Sequence, residues 1–146
     1  MAGIHAPSGY NQQTTSFVVV TDPDLRARIA AIAGERPVLT TAAAFIVVVM
    51  DPSRHADRTY AFGLEDYAAA TENVLLAITA LGLASVWIDG ALRADGVAEE
   101  IGRLLGVPPE LEVRVLLPVG VPESEPVQAK KRPLEERAWF NRWGGE

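Results

Sequence analysis

Short β-branched runs alternating with helix-forming segments predict a one-domain α/β sheet protein, and three stretches carry that reading. Phe17-Val18-Val19-Val20 and Phe45-Ile46-Val47-Val48-Val49-Met50 have strand composition, while residues 65–81 space their apolar side chains by three or four. A chain of 146 residues can bury a real core and leaves little room for a second domain.

The strand at 17–20 closes on Thr21-Asp22-Pro23, a helix start. Asp22 can cap, Pro23 suits the first helical position, and Leu25, Ile29 and Ile32 recur at helical spacing up to Gly34. The strand at 45–50 is apolar on both faces, which places it centrally with cover on each side. Asp51-Pro52-Ser53 ends it, and the polar, aperiodic stretch 52–64 reads as a loop. The main helix, 65–81, carries Tyr67, Ala70, Val74, Ile78 and Leu81 on one stripe, with Gly82 as its C-terminal stop. Ala68, Ala69, Ala70, Ala77 and Ala80 allow close packing on more than one of its sides. Residues 85–88 form a third short strand and Asp89-Gly90 a turn. Val97, Ile101, Leu104 and Leu105 mark an amphipathic helix ended by Gly106 and Pro108. The last strand is 113–119, where Pro118 points to an edge or terminal position. A tail rich in proline and charge runs over 122–146 and carries Trp139, Phe140 and Trp143.

Composition excludes several functions. Thirteen Lys+Arg against 19 Asp+Glu give a net charge of −6, against the basic excess a nucleic-acid binder needs. With no cysteine, disulfides, thiolate catalysis and Cys-ligated metals are excluded. The longest apolar run, 42–50, is far short of the roughly 20 residues that cross a bilayer, and residues 1–13 lack the pattern of a secretion signal. The expected location is therefore the cytoplasm, with no membrane partner. His5 and His55 lie in unrelated contexts and read as surface or loop residues, so no metal site is expected. Asp66 and Glu72 read as solvated or capping carboxylates and not as an acid–base pair. No nucleophile elbow, phosphate-binding loop or dinucleotide fingerprint follows any strand. No catalytic side chain is assigned, and an enzyme built on this chain would rely on a bound cofactor.

Three segments, in register over nearly the whole chain, resemble the nitroreductase family of FMN-dependent NAD(P)H oxidoreductases. The first is Ala6-Pro7-Ser8-Gly9-Tyr10-Asn11-Gln12-Gln13 leading into Phe17–Val20, similar to a P-S-x-x-N-x-Q segment before the first core strand. The second runs from Glu72-Asn73 through Ala80-Leu81-Gly82-Leu83 to Val86-Trp87-Ile88-Asp89-Gly90, similar to the central helix, its L-G-L exit and a flavin-facing turn. The third is Leu116-Leu117-Pro118-Val119-Gly120-Val121-Pro122 followed by Lys130-Lys131-Arg132-Pro133-Leu134-Glu135-Glu136, similar to the final strand and basic tail.

The resemblance implies an α+β fold, a central and largely antiparallel sheet flanked by helices, in place of the α/β sheet read from alternation. It also implies a homodimer with flavin at the interface, FMN as cofactor and NADH or NADPH as electron donor. Nitroaromatics, quinones or similar small-molecule acceptors would be reduced by ping-pong transfer at flavin N5. Pro7, Ser8, Asn11 and Gln13 would position the flavin ring of the partner subunit. Ile88, Asp89 and Gly90 would serve N5, through the Asp89 amide and the close approach that glycine allows. Lys130, Lys131 and Arg132 would hold the phosphate, their individual roles left open. Trp139, Phe140 and Trp143 would pin the tail to the body or to the partner subunit.

Two departures bear on function. Thr14-Thr15 stands where many members carry Pro-Trp. The chain is also expected to be one domain, 1–146, that lacks the family's usual N-terminal helix and Arg-rich segment. Each hydrogen bond to a charged group contributes about 1.5–3 kcal/mol, so losing two such contacts would weaken FMN about 10²- to 10⁴-fold. The competing classes are a non-catalytic flavin-binding or structural relative, and a subunit that needs another chain to supply the missing arginines.

Overall fold

A computed structural model describes residues 1–54, 61–94, 96–125 and 127–145. Four strands, β1 (Thr15–Val20), β2 (Ala44–Met50), β3 (Ala84–Ser85) and β4 (Glu112–Gly120), form one sheet in the order β1-β2-β4-β3. Every neighbouring pair is antiparallel. The α/β sheet read from alternation is thereby corrected, and the α+β arrangement is the one that forms. Val20 pairs with Phe45, so residues 21–43 leave and rejoin the sheet at one end, which makes β1 and β2 run in opposite directions.

β2 is the inner strand its composition predicts. Phe45, Val47 and Val49 belong to a core shared with Ile29 and Ala30 of α1 (Pro23–Ile32), Leu39 of α2 (Pro37–Thr40) and Ile101 of α4 (Val97–Leu105). Val48 and Met50 belong to a second core, with Val115, Leu117 and Tyr67 of α3 (Gly63–Ala80). The sheet therefore has α1 and α4 on one face and α3 on the other.

Several expectations hold in detail. The Asp22 carboxylate accepts from the Leu25 N–H at 2.8 Å, with Pro23 opening α1. Gly82 and Gly106 follow α3 and α4 at φ +72° and +70°, where a side chain would be strained.

Three expectations are corrected. The stretch 52–64 is not all loop. Pro52–Arg54 forms a 3₁₀ turn and α3 begins at Gly63, because the Asp66 N–H already bonds to the Phe62 carbonyl. His55 lies outside the described residues, and His5 is exposed as expected. The third strand is only Ala84–Ser85, followed by a lone bridge in which Ile88 and Leu116 exchange N–H···O bonds of 3.2 and 2.9 Å. β4 is an inner strand, so Pro118 is not at an edge. Leu116 turns its N–H toward β3, and alternation gives Pro118 the same direction. It faces the gap between the Ser85 and Ile88 pairings, where no ladder bond is made.

Phe140 and Trp143 are 77% and 86% exposed, and the Trp139 ring meets that of Trp143, at 4.0 Å between centroids. Among the described residues, then, Phe140 and Trp143 are not buried against the body of their own chain. Among the described residues, no helix is long and apolar enough to cross a membrane, and no three His, Asp or Glu side chains cluster as metal ligands.

Phe45 is fully buried where β2 meets both α1 and β4. Phe45→Ala should lower stability by about 3–5 kcal/mol, read from the midpoint of denaturant unfolding at unchanged slope.

Candidate functional site

The segment Pro7–Gln13 is a tight loop whose shape its sequence does not favour. Tyr10, Asn11 and Gln13 have φ of 51°, 55° and 52°, a left-handed region that non-glycine residues rarely occupy. Such conformations persist only where the surroundings impose them. Asp66 does so. Its carboxylate, 4% exposed, accepts from the Gly9 N–H at 2.8 Å and from the Thr14 hydroxyl at 2.9 Å. The Thr14 carbonyl in turn accepts from the Asp51 N–H at 2.8 Å. Thr14, 1% exposed, thus joins the loop to α3 and to the end of β2.

Gly9 packs on the Phe62 ring so closely that a Cβ would lie 2.2 Å from it. The Ser8 hydroxyl accepts from the Gln13 N–H at 3.0 Å, which leaves its own proton free to donate. Asn11 and Gln13 stay exposed. Ser8 and Gln13, with Pro7, Thr14, Arg54 and Asp66, line a cleft of about 270 Å³. Arg54 is held at its rim by Asp51, at 3.2 Å.

Asp89 and Gly90 line a different cleft, of about 320 Å³, with Arg36, Val38, Trp87 and Ile88. The Asp89 carboxylate is taken by Arg93 at 2.7 Å, and its carbonyl accepts from the Leu92 and Arg93 N–H groups. Its own N–H has no acceptor among the described residues. Around Gly90 a Cβ would meet nothing within 4 Å, so no packing demands glycine there and the space in front of the turn is open.

Within one chain, then, the sequence-predicted residues do not converge. Pro7, Ser8 and Gln13 line one cleft, Ile88, Asp89 and Gly90 the other, and the two share no lining residue. Lys130, Lys131 and Arg132 are exposed on the tail and line neither.

Sequence reasoning missed Asp66, Thr14 and Arg36. Nothing local in the sequence marks Asp66 as buried, and a buried acid needs partners. Those partners lie 57 and 52 residues away in the chain. Glu72, read beside it, is exposed. Arg36 has no motif around it and comes to the Asp89 cleft through the connection between α1 and α2.

The sequence model of the nitroreductase family matches residues 31–121, more than half of the chain. The chain belongs to the nitroreductase family. A candidate NADH dehydrogenase/NAD(P)H nitroreductase of Archaeoglobus fulgidus is 34% identical over 85% of this chain and 70% of its own length. An NADPH-flavin oxidoreductase of Vibrio harveyi is 32% identical over 90% of this chain and 58% of its own length. The solved structure of the V. harveyi NADPH:FMN oxidoreductase in complex with NAD⁺ superposes with a TM-score of 0.80. It is 30% identical, and the match covers 97% of this chain and 65% of that one. Membership makes this a flavin oxidoreductase enzyme by class, and the likeness in fold agrees with the antiparallel sheet.

Two outcomes test the loop's architecture. Asp66→Ala leaves the Gly9 N–H and the Thr14 hydroxyl without their buried acceptor, a loss of about 1–3 kcal/mol for each group. Hydrogen exchange at residues 9–14 should quicken far more than in the β2–β4 ladder.

Asp51 supplies a pH test. Its carboxylate is held below the ordinary value, chiefly by the Ser53 hydroxyl at 2.6 Å. Slight burial opposes this, while the Ser53 N–H and Arg54 add to it. A lowered folded pKa contributes stability in full above about pH 4, the unfolded value, and loses it as pH falls through the folded value. The stability difference between the parent and Asp51→Asn should shrink in that acid window.

Proposed function

We propose that this chain is an FMN-dependent NAD(P)H oxidoreductase of the cytoplasm that acts as a homodimer on a nitroaromatic, quinone or similar small acceptor. The observation that carries the reading is the division of the site. A polar loop able to read a ring edge and a turn offering an unpartnered N–H lie in separate clefts of one chain, and a second copy can bring them together.

The donor set suits FMN. The free Asp89 N–H and the Ser8 hydroxyl proton are neutral donors, suited to the nitrogen and carbonyl edge of a flavin. Open space before Gly90 admits a planar ring, and Lys130, Lys131 and Arg132 are exposed cations for a phosphate. Bound FMN would supply the two-electron redox chemistry, so no nucleophilic side chain is required.

The chain's own residues would bind and orient. Asp66 would fix Gly9 at the start of the turn, and with it the placement of Ser8 and Gln13 on either side. Arg93 holds the Asp89 carboxylate aside, so that the turn presents its N–H and not its negative charge. Arg36 places a cation beside the same cleft, where it favours negative charge on whatever ring binds. The exposed Leu134, Phe140 and Trp143 are apolar surface that a second copy of the chain would cover.

Purification with excess FMN followed by gel filtration tests the reading. A yellow protein at twice the chain mass, bleached anaerobically by NADH or NADPH and recoloured by a quinone, is expected. A colourless protein that stays so overturns it and favours the non-catalytic relative.

A further inference from the structure

A third cleft, of about 800 Å³, is more than twice the size of either cleft described above and shares no lining residue with them. It opens between α4, the connection that leaves α4, and the first residues of β4. That connection is braced by two backbone bonds. The Val107 N–H donates to the Gly102 carbonyl at 2.9 Å, and the Leu111 N–H to the Pro108 carbonyl at 3.0 Å.

The lining is apolar at its base, with Leu92, Val107, Leu111 and Val113, of which Leu92 and Val113 are buried. Gly102, inside α4 and buried, lines it as well. Glycine in a helix interior is less stable than alanine. Packing does not require it here, since a Cβ would lie 3.5 Å from Val113 and 3.8 Å from Val107, both ordinary contacts. The missing side chain leaves its space to the cleft.

Three arginines and two glutamates line the same cleft. Arg93 is taken by Asp89 and Arg114 by Glu112. Among the described residues Arg103 has no carboxylate within ion-pair distance, although Glu99 precedes it by one turn of α4. One surplus cation beside an apolar base suits a single negative charge, and a guanidinium fork can take a carboxylate through two parallel bonds. Glu99 and Glu112 oppose a second negative charge. A concave, mostly apolar site with a few polar groups has the ordinary make-up of a small-molecule site.

We propose that this cleft binds a carboxylate with one negative charge and an apolar body, of the medium-chain fatty acid class. Arg103 takes the carboxylate, and the apolar body lies over Gly102 against Leu111 and Val113. The site is independent of the flavin reading.

Octanoate is the probe, titrated into the full chain with FMN present and followed by amide NMR shifts. Octanamide and octanedioate, of the same length, supply the neutral and doubly charged comparisons. Saturable shifts at Leu92, Gly102, Val107, Leu111 and Val113 are expected, with octanamide and octanedioate each bound about tenfold more weakly. Arg103→Gln should weaken octanoate about tenfold and leave octanamide unchanged, and Arg103→Lys, which keeps a cation, should recover part of the loss. Gly102→Met lays a flexible side chain across the base. It should weaken octanoate and octanamide alike, without lowering the midpoint of unfolding.

Shifts centred on residues 86–90, or shifts that rise without saturating, overturn the site. Octanoate bound equally by the parent and by Arg103→Gln overturns the role of Arg103, and this variant carries the test should Gly102→Met not fold. Equal binding of the three probes overturns the selection for one negative charge. Octanoate bound undiminished by folded Gly102→Met overturns the placement over Gly102.

Discussion

The two cores lie on opposite faces of one sheet, and β2 gives each of them its most deeply buried strand residues. Phe45, Val47 and Val49 face one, Val48 and Met50 the other, so no side of the strand is left for water. A strand apolar on both faces does not specify its own register, because a slip of one residue would still bury apolar side chains. Register has to come from the neighbours. β1 turns Val19 outward and Val20 inward, and β4 places the charged Arg114 at a bulge, where it sits out of the regular alternation. The same bulge that fixes the pairing of β2 with β4 sends a cation toward Tyr67. The constraint on the sheet and the packing of Tyr67 therefore share one residue.

The two halves of the site are held by different physics. The Asp89 turn hangs on backbone pairing, with Ile88 bridged to Leu116 and Arg93 closing the following turn. The Pro7–Gln13 loop has no such ladder and depends on one buried carboxylate. Burying Asp66 is favourable only because Gly9 and Thr14 both donate to it, and removing either partner leaves part of its desolvation uncompensated. The loop is thereby rigid in spite of three left-handed residues.

Sequence reading found what local chemistry encodes. The Asp22-Pro23 start of α1, the glycine exits of α3 and α4 and the central place of β2 all depend on residues within a few positions of one another. It failed where distance in the chain mattered. Pro118 was read as an edge or terminal residue because the gap in β3 that tolerates it lies some thirty residues earlier. Asp66 was read as a solvated or capping carboxylate because Gly9 and Thr14 are far upstream. The short length of β3 was hidden by the apolar character of Val86 and Trp87, which turn away from the ladder to line a cleft.

The order and type of the elements, the absence of thiol and nucleophile chemistry, and the three motifs that resemble a flavin-binding family were all legible in the residues, because each is a matter of composition or short spacing. Strand direction, the splitting of Ser8 and Asp89 into separate clefts, the buried role of Asp66 and the placing of Arg114 over Tyr67 were decided by tertiary structure alone. Burial is a property of the whole packed chain. A carboxylate becomes an anchor, and an arginine the cover of a buried ring, only when distant segments remove water from around them and supply the partners that water had been.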